Sequence, residues 1–163
     1  MKIFLLYLIL CFLAPGLWAK DPAMKSIGSM SVRLLFATNE DPAAAGEVAK
    51  KLSEDETKKL QSIPGLEFGH YRLIGVDTPD ILKGYESWAT PLRPSKEILV
   101  SFETIKRAKD GRVQMVLQYW QSQRKMFTVN PTLTVGKPLY LLGPEWRKGR
   151  LILAVKLEKL QKL

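Results

Sequence analysis

The sequence predicts an α+β fold in which one helical region covers a largely antiparallel sheet; a two-layer β-sandwich carrying one helix is the alternative. Three observations carry this expectation. First, Arg112 to Lys159 reads as strands almost without interruption. Val113, Met115, Leu117 and Tyr119 alternate with Gln114, Val116, Gln118 and Trp120, and Leu151, Leu153, Val155 and Leu157 alternate with Ile152, Ala154, Lys156 and Glu158, the period of a pleated strand. Second, Gly136-Lys137-Pro138 and the stretch from Gly143-Pro144 to Gly149 punctuate that run, because Gly supplies positive φ and Pro sets a turn φ while removing a donor. Third, Asn39 to Ile63 carries helix-start signals and lies apart from the strands. The Arg112-to-Lys159 meander is therefore expected to organise the domain.

In chain order, residues 1–19 read as a secretory signal peptide. Met1-Lys2 precedes the apolar run Ile3 to Leu13, then Ala14-Pro15-Gly16 and the small Ala19, which gives a basic start, an apolar centre and a breaker with cleavage after Ala19. The run falls short of the ~20 apolar residues of a membrane-spanning helix. Residues 20–31 show no period and are expected to be a flexible leader, and 32–163 a single domain. Val32 to Thr38 carries apolar residues on both faces, as a central strand does. Asp41 then suits an N-cap and Pro42 the first helical position, with Ala45, Val48, Ala49 and Leu52 as the apolar face. Ser53-Glu54-Asp55-Glu56 spells a second capping box, and Pro64-Gly65 ends the helical region.

Leu66 to Val76 alternates again and is expected to be a strand, followed by a turn at Asp77-Thr78-Pro79-Asp80. Pro91 and Pro94 confine Tyr85 to Leu92 to a short edge strand. Glu97 to Ile105 forms the next strand and meets the meander through Lys109-Asp110-Gly111-Arg112, where Asp-Gly between alternating runs marks a hairpin.

Charge and composition narrow the function classes. The 163 residues carry 25 Lys+Arg against 16 Asp+Glu, a net charge of +9. An excess of cations favours anionic partners such as lipid headgroups, acidic glycans or an acidic protein face; nucleic acid fits the charge but is not expected to meet an exported protein. The single cysteine, Cys11, lies inside the signal-like segment, and Ile9-Leu10 before it are too large for a lipid-attachment site. A mature chain without cysteine has no disulfide, thiol nucleophile or zinc–thiolate site.

Candidate catalytic groups are few. His70 is the only histidine, and no Gly-x-Ser-x-Gly or Ser-x-x-Lys pattern supplies a nucleophile. Asp77 and Asp80 read as turn residues rather than an acid–base or calcium pair, and no Gly-Lys-Ser/Thr phosphate loop is present. No cofactor or metal is expected. The remaining candidates are two basic hairpin tips: Lys106, Arg107, Lys109 and Arg112 around the first, and Trp146, Arg147, Lys148 and Arg150 around the last. Each gathers cations within a few residues, and Trp146 can stack or sit at an interface.

Tyr71-Arg72-Leu73-Ile74-Gly75, the run Thr132 to Pro144, and Gly149 to Val155 together resemble small secreted bacterial proteins, and the last hairpin is similar to the glycine-bounded closing strands of outer-membrane secretin domains. The secretin-like part covers the last third of the chain. It implies an envelope-associated module and carries no catalytic residue across. The function expected is that of a non-catalytic periplasmic or secreted domain, not an enzyme, acting through contact with an envelope protein as an accessory to secretion or surface assembly. The alternative is a binder of anionic lipid headgroups or acidic glycans through the basic tips. An apolar edge strand able to pair with a partner fits the first.

Overall fold

Period-two alternation places most of the chain in strands, and the number of apolar faces on each strand decides where it lies. The computed structural model describes residues 21–107 and 110–161; the signal-like segment 1–19 and Lys109 lie outside the described residues. The strands are β1 (Ser26–Thr38), β2 (Lys50–Lys51), β3 (His70–Asp77), β4 (Asp80–Leu82), β5 (Ser87–Ala89), β6 (Ile98–Arg107), β7 (Arg112–Gln121), β8 (Arg124–Val129), β9 (Thr132–Thr134), β10 (Pro138–Trp146) and β11 (Gly149–Leu160), and α1 spans Glu54–Gln61. They form two antiparallel sheets. The first runs β10-β11-β1-β3-β2 with β4 also on β1; the second runs β5-β6-β7-β8 with β9 also on β7. No helix among the described residues is long and apolar enough to cross a membrane.

The two sheets share one buried cluster. Met30, Val32 and Leu34 of β1 and Leu151, Leu153, Val155 and Leu157 of β11 meet Val100 and Phe102 of β6 and Met115, Leu117 and Tyr119 of β7. Each such side chain contributes roughly 1.5–3 kcal/mol by leaving water, so two one-faced sheets gain most by facing each other. β1 and β11 are apolar on their other faces too. Leu35, Ala37, Ile152 and Ala154 form a second cluster with Leu52, Leu60, Leu66 and Tyr71, which places α1 over the first sheet only. The helix thus covers one of two sheets, not a single sheet.

Three local expectations are corrected. The C-terminal meander is split: Val135 N–H donates to Gly111 O (3.2 Å) and Gly136 N–H to Leu157 O (2.8 Å), so the chain leaves the second sheet after β9 and enters the first at β10. Gly143-Pro144 is a register shift inside β10, not its end. The leader does not extend to Ser31, because β1 begins at Ser26. Its first residues pair with Leu160 and Lys159 of β11 and with β4, and Ile27 and Met30 are buried.

The helical region also differs. Asp41 Oδ1 accepts from Ala43 N–H (2.8 Å), but only the 3-10 turn Pro42–Ala45 forms before Gly46 takes φ 96°, a conformation that suits glycine and ends a helix. Val48 is 83% exposed, and Lys50–Lys51 pair with Leu73 and Arg72 of β3. At α1 the capping box is half made. Ser53 Oγ accepts from Glu56 N–H (3.3 Å), while the Glu56 carboxylate turns to Arg33.

Candidate functional site

The two basic tips lie at opposite ends of the molecule. The β6–β7 tip sits against Val135 and Gly136, and Gly136 bonds to Leu157 of β11. The β10–β11 tip pairs Trp146 with Gly149, at the other end of β11. The eight residue steps from Gly149 to Leu157 span about 26 Å, so no small anion touches both clusters.

At the β10–β11 tip, Trp146, Arg147, Lys148 and Arg150 line one open pocket, and the two arginines are also tied into the fold. The Trp146 ring packs edge-on against Phe36 with centroids 5.8 Å apart, and the Arg147 guanidinium lies 4.1 Å above the Trp146 ring. Arg147 also donates to Ala44 O (3.0 Å). Arg150 donates to Gly143 O through Nε (3.3 Å) and Nη2 (3.0 Å), which satisfies a carbonyl that the register shift frees from the ladder. Lys148 gives its carbonyl to Thr38 Oγ1 (2.7 Å). At the first tip Arg112 pairs with Asp110 (2.6 Å) in the open. Lys106 stands opposite Gln114, and Arg107 opposite the buried Val113, so these two neighbours point to different faces.

The groups considered for catalysis do not converge. His70 is exposed opposite Thr38, at the other end of β3 from Asp77; seven residue steps of strand separate them by about 23 Å. Asp77 is occupied as a loop anchor. Its carboxylate accepts from Thr78 N–H (2.9 Å), Thr90 N–H (2.8 Å) and Arg93 Nη2 (3.0 Å). Asp80 opens β4 opposite Ser29. Among the described residues no group of three or more His, Cys, Asp or Glu is placed to hold a metal ion.

A different site emerges beside β10. On the α1 side of the first sheet, Pro138, Lys156 and Ser31 form one cross-strand row, and Tyr140, Ala154 and Arg33 the next. The short α1 does not reach over these rows, and a cleft of about 450 Å³ opens between them and Ser53, Asp55, Glu56 and Lys59. Arg33 and Glu56 form a two-pronged ion pair across its floor. Burial raises the Tyr140 phenol above its ordinary pKa; the Glu56 charge adds to the rise and Arg33 opposes it. Lys156 is tied to Glu158 (2.9 Å).

The cleft opens onto the edge of the sheet. β10 pairs with β11 on one side and with no other described strand. Leu139 and Leu141 lean on the inter-sheet cluster, while Leu142, 36% exposed, shares the face of Tyr140. Pro138 and Pro144 lack donors and bound the free stretch Leu139–Leu142, a common protection of sheet edges. Arg33, Glu56 and Tyr140 escaped the sequence reading because they lie on three separate elements. The one local signal was Leu139 to Leu142, apolar on both faces. No family model, curated protein or solved structure matches the chain.

Proposed function

We propose that this chain is a non-catalytic exported domain that works by protein–protein contact in the cell envelope, receiving an extended partner segment along β10. The observation that carries the reading is the free edge Leu139–Leu142 beside the cleft of Arg33, Glu56, Tyr140 and Lys156. In strand addition, main-chain hydrogen bonds supply affinity and pockets for alternate side chains supply specificity; here the α1-side residues of an added strand would meet Tyr140 and the cleft. The envelope setting rests on the signal-like pattern of residues 1–19 and on the secretin-like last hairpin, whose outer strand is β10. An accessory role in secretion or surface assembly fits that setting.

The test is site-specific photo-crosslinking in the source cells, with the photoreactive residue at Leu142 and, as a control, at Lys58 on the exposed face of α1. The reading expects one reproducible protein adduct in the envelope fraction from position 142 and none from 58. Absence of any protein adduct from position 142 overturns it.

A further inference from the structure

The outer face of the second sheet carries a set of side chains that the β10 edge does not use. Even-numbered residues of β7 point away from the core, as the complete burial of Val113, Met115, Leu117 and Tyr119 requires. Their cross-strand partners extend the same face. Trp120 stands opposite Leu99 and Lys125; Gln118 opposite Ser101 and Thr128, with Trp88 beyond Ser101; Gln114 opposite Lys106 and Thr132; and Arg112 opposite Thr134. One end of the face is aromatic and the other basic. Trp88 and Trp120 have centroids 6.0 Å apart and planes tilted by 48°, Trp88 is 43% exposed, and Lys125 Nζ lies 5.7 Å from the Trp120 ring centre. Between them lie the neutral hydrogen-bonding side chains Gln118, Thr128, Gln114 and Thr132, with Val116 opposite Glu103 at the centre.

Beneath this face two polar atoms are buried without partners among the described residues: Ser101 Oγ, on a fully buried residue, and Trp120 Nε1. A buried hydroxyl or indole N–H left unpaired costs about 1–3 kcal/mol, and both lie at the aromatic end. We infer that this face is a binding track for an acidic polysaccharide. Sugar rings have apolar faces that pack on indoles, hydroxyls that both donate and accept, and, in acidic polymers, anionic groups that match Lys106, Arg112 and Lys125. The track from Trp120 to Arg112 is about 26 Å long, the scale of several sugar units rather than one small anion. Among the described residues Glu103 opposes the three cations from within this face, and Asp110 pairs with Arg112 at its basic end. An apolar protein partner would leave the exposed amide of Gln114 and the hydroxyls of Thr128 and Thr132 unsatisfied.

The experiment is affinity electrophoresis of the full mature chain through gels holding polygalacturonate, with dextran gels and phosphatidylglycerol vesicles as comparisons. Polygalacturonate should retard the protein and dextran should not. Trp88→Ala, an exposed position that leaves the core intact, should weaken binding about tenfold. Lys106→Glu with Arg112→Glu should weaken it and flatten its salt dependence, whereas Arg147→Glu with Lys148→Glu, at the far tip, should leave it unchanged. Absence of retardation overturns the inference. So does equal loss from both charge-reversal pairs, which means non-specific attraction to a basic protein, or vesicle binding with the same Trp88 dependence, which means a lipid surface. Leu142 crosslinking should be unaffected by Trp88→Ala, because β10 and β5 lie in different sheets, so this inference and the β10 reading stand or fall separately.

Discussion

The ring of Tyr119 lies parallel to that of Phe127, centroids 5.1 Å apart and planes 5° apart, and its hydroxyl is buried without a partner among the described residues. The stack ties β7 to β8 inside the shared core, but the hydroxyl is a cost there. Tyr119→Phe is therefore expected to stabilise the protein by about 1 kcal/mol at neutral pH in urea titration. Loss of stability would mean that the hydroxyl has a partner.

Alkaline pH acts on the same residue. Burial, with the Glu97 charge second, pushes the Tyr119 phenol well above its ordinary range, so the fold holds the neutral form. A raised folded pKa contributes stability that is complete below the unfolded value of about 10 and lost as pH rises through the folded one. Stability measured by urea titration should fall from about pH 10 upward, and Tyr119→Phe should make that decline shallower. An identical decline in the variant would assign it to other groups.

The Arg33–Glu56 pair anchors α1 to the first sheet, and its side chains keep 30% and 23% of their exposure. Partial exposure limits such a pair to about 1 kcal/mol. Glu56→Gln should cost about that much in denaturant titration, with the loss shrinking at high salt. A salt-independent loss would show that packing, not charge, holds the helix. Lowering of Tyr140's phenol pKa in the same variant, read by ultraviolet titration, is expected because the Glu56 charge helps raise it.

Asp77 joins three segments: Thr78 beside it, Thr90 after β5, and Arg93. Its side chain is 12% exposed, so the bonds are only partly screened. Asp77→Ala should destabilise the fold by about 1–3 kcal/mol and speed amide exchange at Thr90. Unchanged exchange there would show that the loop holds without the carboxylate.

Gly149 opens β11 where a Cβ would overlap the Ala37 carbonyl and the Phe36 ring. Gly149→Ala is expected to cost about 1–3 kcal/mol by overpacking and to disturb the Phe36–Trp146 contact, visible in near-ultraviolet circular dichroism. Gly65→Ala should leave that spectrum unchanged, because nothing lies near the added methyl and only the φ of 84° opposes it. A Gly149→Ala protein of wild-type stability would sink the steric account.

Much of the strand pattern was legible because alternation is a local property. β6, β7 and β11 follow their apolar residues, Asp110-Gly111 marks the hairpin between β6 and β7, and Pro91 and Pro94 limit β5 to an edge. The turn from β7 to β8 was not legible. Ser122 (φ 48°) and Gln123 (φ 64°) adopt left-handed conformations that neither residue type announces. Nor was the bulge in β3, where Leu34 faces Gly75 but Leu35 faces Leu73; it turns Ile74 toward the inter-sheet cluster and Leu73 toward α1.

By itself the sequence determined the main alternating strands, which of their faces are apolar, and where cations gather, since these follow from side-chain period and turn chemistry within a few residues. It did not show that β1 begins at Ser26 or that Lys50–Lys51 pair with β3. Only the tertiary structure decided that the C-terminal run divides between two sheets at Gly136, that the two basic tips point apart, and that Trp88 joins Trp120 on one face while Arg33, Glu56 and Tyr140 share one cleft. The reason is physical: those outcomes depend on which apolar faces meet and on pairing register between distant strands, quantities that local patterning leaves open.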